Sequence, residues 1–489
     1  MQKISKNDIR QKFFLKMIAP SLIVILLIFA LIPRFNAAKN ASIRSFDEGL
    51  YNYLGTQLKY QPLNYSSSNF YKLMAKYIRN PKERERVKRY VDVPLFKHPP
   101  LFCYLIAISK TLFGDEYMPA NFVSLFSGVA IIFVVYFLCK SLWGEIWGLL
   151  AAFFMAIEPN YWLCSQKIWI ETTLGLFVYL GIFFLYLGRK RTLFLIISGV
   201  CLGMALLCKY SAILAVIAIY AIILFTDIIP DRKKMLLYVL TPFIVGLPWV
   251  LWNYNVYGNN LFYEIMKINS SAASFKYITK FSLIAAVPVI LMAGFFTAKY
   301  FFKDKLDEIL AKTKGSSLAR EVKNFSYFLI AIFTAILFLL SGEHFLKALD
   351  WTYLPVPTNL MDPFKGQPGY FYFYHMARIS LLFLISYFSV LFIKKWDEWN
   401  FLLAAVAISL FTFFGLFKAY ESRFVIIAMP ALMMLAAYTV KESLSLCLSR
   451  SGWMRTVPAV LIIMVVMYAV AKTLYFDFTV VVKNNFFFF

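Results

Sequence analysis

The sequence predicts an all-α protein that crosses a membrane many times, and three observations carry this. Apolar residues make up 61% of the 489, and the mean hydropathy is +0.67; a soluble chain of this length would carry far more charge. The Lys and Arg residues behind the net charge of +24 sit in short clusters between apolar runs, the pattern of cytoplasmic loops under the positive-inside rule. Many of those runs approach the roughly 20 residues that a spanning helix requires. The clustering argues against a nucleic-acid partner. The six cysteines contain no CxxC pair and mostly fall inside apolar segments, so they read as small core residues.

Taken in order, the candidate spans are 17–33, 119–139, 147–158, 171–187, 191–207, 211–226, 235–252, 279–300, 325–341, 378–393, 399–417, 423–440 and 456–475. That is about thirteen crossings by the length rule. Lys3, Lys6, Arg10, Lys12 and Lys16 precede the first run, which reads as an uncleaved helix with its N-terminus in the cytoplasm. From that start the inside loops contain Arg189-Lys190-Arg191, Arg232-Lys233-Lys234, the Lys-rich 299–323 and Lys394-Lys395. The outside loops 159–170, 253–277 and 342–377 are richer in aromatic and amide residues. Charge bias and helix count therefore agree on an integral membrane protein with its C-terminus outside; a plasma (inner) membrane is its expected location.

Leu101 to Phe113 tests that scheme. Counting it as a crossing would invert every later loop. It is short and contains Lys110, which suits an interfacial or re-entrant helix better than a span. Residues 34–118 then form one long external loop. Its row Lys82, Arg84, Arg86, Lys88 and Arg89 reads first as a solvated helix face. The expected division is a membrane module over 1–260 that includes this loop, followed by further spans of the same domain over 261–489. No internal repeat is visible.

Ionisable residues at a membrane boundary are costly to bury and so are functional candidates. Asp47 and Glu48 open the first loop, and Lys97-His98-Pro99-Pro100 precedes its short helix. Lys167 and Glu171 flank the start of the 171–187 span. Lys209 sits in the break between two apolar helices, and Arg423 heads the 423–440 span. Each alone is explained by a solvated first turn or a snorkelling side chain. Collected on one face, they make carboxylates beside a nest of cations, which is what activating a hydroxyl and holding a phosphate leaving group requires. As neighbours, Asp47 and Glu48 lie about 100° apart on a helix, so only one of them faces the reacting atoms.

The blocks SFDEGLYNYLGTQL, KHPPLFCYLIAISK, KIWIETTLGLFVYL, LCKYSAILAV, PWVLWNYNVYGNNLF and ESRFVIIAMPAL resemble, in order, those of the GT-C membrane glycosyltransferases. The likeness is to the branch of protein O-mannosyltransferases, aminoarabinose transferases and galacturonosyl transferases. The resemblance implies a GT-C-type fold and a polyprenyl-phosphate-linked sugar donor, with a lipid, glycan or protein acceptor used on the external face. It implies Asp47 as catalytic base with Glu48 as its companion, and His98, Lys97, Lys209 and Arg423 around the donor phosphate. Glu171 with Lys167 would form a second acidic site. The sequence departs from the family pattern at Asn121, where many relatives carry Arg, and at Glu171, where Asp is usual.

No metal is required by these residues; Asp47, Glu48 and Glu171 could at most offer a weak oxygen site to a divalent cation. The rival from another class is a transporter or flippase of a lipid-linked substrate. It would also need many helices and a lipid-phosphate site, but its charges would be expected near the midplane between repeats. The topology has a direct check. An introduced cysteine at 189–191 is expected to resist a membrane-impermeant maleimide in intact cells and to react after permeabilisation; labelling from outside would invert the scheme.

Overall fold

The computed structural model describes residues 6–40, 45–88, 91, 93–226, 228–260, 336, 338–340, 342–350, 371–416 and 422–482. Among these residues the regular structure is helical throughout. The helices are α1 (Lys6–Lys39), α2 (Phe46–Tyr60), α3 (Ser68–Tyr77), α4 (Pro81–Lys88), α5 (Leu101–Phe113), α6 (Tyr117–Trp143), α7 (Glu145–Ala156) and α8 (Pro159–Ser165). There follow α9 (Glu171–Gly188), α10 (Thr192–Cys208), α11 (Ala212–Phe225), α12 (Arg232–Tyr257), α13 (Gly342–Leu349), α14 (Phe371–Ile379), α15 (Leu381–Tyr387), α16 (Glu398–Leu416), α17 (Ala428–Leu448) and α18 (Trp453–Phe476). Among the described residues, seven helices are long and apolar enough to cross a membrane and four more are shorter and apolar, Leu101–Phe113 among them. The expected span 279–300 and nearly all of 325–341 lie outside the described residues, and the expected division at residue 260 falls at their edge.

Most of the expected spans within the described residues are continuous helices; 423–440 opens with the 3-10 turn Ser422–Val425, so Arg423 lies outside α17, and 378–393 is broken. Ser380 adopts an extended conformation between α14 and α15, and its hydroxyl accepts the Leu382 N–H at 3.2 Å. The same hydroxyl lies 2.8 Å from that of Thr473 on α18. A side-chain cap thus replaces the missing intrahelical bond inside an otherwise apolar segment.

The chain packs as two units that interleave in sequence. One comprises Met1–Ile43, Leu125–Lys167 and Ser316–Phe489; the other comprises Arg44–Ser124 and Ile168–Gly315. In the first, α1 packs on α7 and α8, and α17 is surrounded by α7, α15, α16 and α18. The α17 stretch Ala428 to Val440 is buried throughout. In the second, α10 packs on α9 and α12, while α2 packs on α5.

Small residues permit these approaches, as is usual where lipid supplies no hydrophobic drive between helices. A Cβ at Gly203 would lie 2.6 Å from that of Val245 on α12. One at Gly55 would lie 2.2 Å from Ile106 Cγ2, so α2 rests directly on α5. The short helix α5 has the bounds expected for it. It buries Phe102, Cys103 and Ile106 against its neighbours and leaves Ile108, Leu112 and Phe113 exposed, as an interfacial helix would.

The far ends of α2 and α5 are tied by polar contacts. Lys59 Nζ is 2.8 Å from Asp115 Oδ1, and Lys110 Nζ donates to Thr56 Oγ1 at 2.8 Å. The hydrogen bond from Lys59 holds the Asp115 carboxyl below its ordinary range, with the Tyr60 hydroxyl adding to it. Gly55→Ala should lower the melting temperature of the purified protein, since overpacking of this kind costs typically about 1–3 kcal/mol. An unchanged melting temperature would mean that α2 and α5 are not in this contact.

Candidate active site

The first loop is organised by Glu48. Ser45 and Glu48 form a capping box at the start of α2: the Glu48 N–H donates to Ser45 Oγ at 3.3 Å, and the Ser45 N–H donates to Glu48 Oε2 at 2.7 Å. The other carboxylate oxygen accepts from the Tyr117 hydroxyl, at the first residue of α6, and from the Ile168 N–H at 3.3 Å. The Trp169 indole donates to Ser45 Oγ at 3.1 Å. Glu48 is fully buried, and both of its oxygens are engaged. Asp47 sits beside it in the first turn of α2, half-buried, where the helix dipole favours a carboxylate.

Lys97 and His98 are half-buried just before α5. Two prolines follow His98, and the second occupies the N-cap position of α5, where a missing N–H costs nothing. An aromatic cluster holds the chain where it turns into this helix. Tyr65 donates its hydroxyl to the Pro99 carbonyl at 3.2 Å and packs edge-on against Phe96 and Trp249. Phe96 in turn packs edge-on against His98, with ring centroids 5.3 Å apart. The Trp249 indole donates to the Tyr210 hydroxyl at 2.8 Å, which pins the break between α10 and α11. The cluster that carries His98 therefore also fixes the residue after Lys209.

At that break Lys209 takes an extended conformation and reaches Glu171 Oε1 at 2.9 Å. Its side chain is 16% exposed and that of Glu171 is 3% exposed. Glu171 Oε2 is buried without a hydrogen-bond partner. The second unit thus contains Asp47, Glu48, Lys97, His98, Glu171 and Lys209, and it joins Lys209 directly to Glu171. Lys167 and Arg423 belong to the first unit, Lys167 being buried and Arg423 lying in the 3-10 turn Ser422–Val425.

Tyr117, Ser45 and Trp169 carry no distinctive motif and were not legible as site residues. Nor were Arg34 and Glu158, two buried charges of the first unit. Arg34 is fully buried and donates to the carbonyls of Ala30 and Ala156 at 2.8 and 2.6 Å and to Ser165 Oγ at 3.1 Å. Its guanidinium lies 4.5 Å from the Trp162 ring centre. Glu158 caps α8 by accepting the N–H groups of Asn160 and Tyr161. The position of Arg34, at the end of an apolar run, was the one signal that could have flagged it. Among the described residues, no group of three or more His, Cys, Asp or Glu is placed to hold a metal ion.

The crystal structure of the Archaeoglobus fulgidus oligosaccharyltransferase in its apo form aligns with a TM-score of 0.57 at 16% identity, over 94% of this chain and 55% of that one. The chain shares its fold with that enzyme. The same archaeal enzyme, AglB, in complex with an inhibitory peptide and a dolichol-phosphate aligns at 0.56 and 15% identity, over 94% of this chain and 55% of that one. ArnT from Cupriavidus metallidurans bound to undecaprenyl phosphate aligns at 0.49 and 13% identity, over 95% of this chain and 77% of that one. The present chain therefore spans about half the length of the archaeal oligosaccharyltransferase it matches. The sequence model of the dolichyl-phosphate-mannose-protein mannosyltransferase family matches residues 97–252, from Lys97 through Trp252 on α12. No curated protein matches the sequence.

The Lys209–Glu171 pair has a structural consequence of its own. Lys209→Ala leaves the Glu171 carboxylate buried and uncompensated, a loss of roughly 3–5 kcal/mol at a fully buried pair and less where the lysine keeps some solvent. Thermal unfolding should show the drop, and Lys209→Met combined with Glu171→Leu should recover most of it. A double variant no more stable than Lys209→Ala would mean that the pair is not coupled.

Proposed function

We propose that the protein transfers a sugar from a polyprenyl-phosphate-linked donor to an acceptor hydroxyl on the external face of the membrane. The family match over residues 97–252 and the fold support a lipid-phosphate donor. The dolichol-phosphate seen with the archaeal oligosaccharyltransferase is the same class of lipid. The observation that carries the assignment of roles is the saturation of Glu48. A carboxylate already accepting from Ser45, Tyr117 and Ile168 has little capacity left to take a proton, whereas Asp47 on the same turn is half-buried.

The step is a direct displacement with inversion. Asp47 accepts the hydroxyl proton as the acceptor oxygen bonds to the anomeric carbon. The bond from that carbon to the phosphate oxygen breaks, and the polyprenyl phosphate leaves with the electron pair. Lys97, His98 and Lys209 of the second unit are the cations assigned to the departing phosphate, where charge-assisted hydrogen bonds stabilise the developing anion. The acceptor, whether lipid, glycan or protein, presents a hydroxyl far too weakly acidic to ionise unaided.

Paired variants test the division of labour. Asp47→Asn keeps volume but removes the base, so turnover should fall by ~10²–10⁴-fold, with only the small fall in melting temperature that losing a first-turn helix charge brings. Glu48→Gln turns an acceptor into an amide donor facing other donors, so it should lower the melting temperature by the equivalent of about 1–3 kcal/mol. Near-normal transfer by Asp47→Asn would remove it as the base. Lys97→Ala and His98→Ala should weaken donor binding or slow turnover; normal donor affinity and rate in both would remove them from the phosphate site.

A further inference from the structure

Beyond the base and the phosphate cations, the second unit contains polar atoms that are buried and unused. Asn121 on α6 is fully buried, and neither its Oδ1 nor its Nδ2 has a hydrogen-bond partner. Asn52, one turn beyond Glu48 on α2, has a buried Oδ1 in the same condition, as does Glu171 at Oε2. Each open atom of this kind costs the desolvation of a polar group, about 1–3 kcal/mol, with nothing in return from the chain.

The helix face locates Asn121. Tyr117, Asn121 and Ser124 follow at intervals of four and three residues and so share one side of α6. Tyr117 on that side donates to Glu48. Ser124 on the same side donates its hydroxyl to the Trp169 carbonyl at 2.8 Å, accepts the Trp169 N–H at 3.2 Å, and offers its own carbonyl to the Thr172 hydroxyl at 3.0 Å. Asn121 lies between these two residues on that side of α6, and Thr172, which bonds Ser124 there, directly follows Glu171.

We propose that Asn121, with Glu171 Oε2 and Asn52 Oδ1, forms a subsite that reads the hydroxyl groups of a sugar. The chemistry of the open atoms selects the ligand. An orphaned carboxamide offers a donor and an acceptor together, and the two carboxyl and carbonyl oxygens need donors. A phosphate, which only accepts, would leave those oxygens unsatisfied. A metal ion could not use the amide N–H, and Lys209 already neutralises Glu171. Hydroxyls, which donate and accept, complete every atom. A neutral amide at position 121 thus serves recognition of the sugar, while the cations serve the phosphate.

This inference rests on the proposed transfer reaction, and its test separates the two. Asn121→Leu, of similar volume, removes only open polar atoms, so the ligand-free melting temperature should stay level or rise. Binding is measured with a polyprenyl phosphate lacking sugar and with a panel of polyprenyl-phosphate hexoses and pentoses. The wild type should prefer one sugar-bearing lipid. Asn121→Leu should weaken that lipid about tenfold, the worth of one or two lost hydrogen bonds, and leave the sugar-free lipid unchanged. If the donor series is unmoved but the KM for the acceptor rises by the same factor, the hydroxyls read are those of the acceptor. Equal weakening of the sugar-free lipid, no change in either substrate, or a fall in melting temperature overturns the subsite. A wild type that binds no polyprenyl phosphate overturns the transfer reaction, and the subsite with it.

Discussion

The second unit depends on one buried carboxylate, Glu48. It closes the first turn of α2, receives the hydroxyl that begins α6, and receives a backbone N–H from the segment leading into α9. Three chain segments far apart in sequence thus end on two oxygen atoms. In a low-dielectric surrounding an unpaired carboxylate is costly, so an arrangement that satisfies it fully is also one that fixes its neighbours. Asp47 inherits its position from this, because the turn that carries it is already held.

The same constraint recurs at several other buried charges among the described residues. Lys209 is held by Glu171. Arg34 distributes its donors over two carbonyls and a hydroxyl and lays its face on Trp162. Glu158 is spent on the N-terminus of α8. Each of these charges is compensated by hydrogen bonds aimed at it, which makes the groups stabilising only as sets. Asn121, with Asn52 Oδ1 and Glu171 Oε2, departs from that pattern. Open polar atoms in a packed core are the ones a ligand has reason to meet.

Aromatic packing supplies the second level of order. Tyr65, Phe96 and Trp249 join the start of α5 to α12 and, through Tyr210, to the break after α10. His98 and Lys209 are far apart in the chain, yet one cluster positions the backbone that carries each of them. Rigid rings with few rotamers suit this purpose, since ordering them costs little entropy.

Hydropathy and helical length are local properties, and what depends on them was readable from the chain alone. The membrane class, the described spans and the short helix Leu101–Phe113 follow from residues within one window of about 20 positions. That acids and cations occur around one loop was legible as composition, and their assignment to a site came from the resemblance alone. The tertiary structure decided which of two adjacent acids is consumed in packing, because Glu48's partners lie 69 and 120 residues away. It also decided that Lys209 is held by Glu171, that one expected span is broken at Ser380, and that Arg34 is buried. Those outcomes depend on which donors arrive from distant segments, and no periodicity along a single helix encodes that arrival.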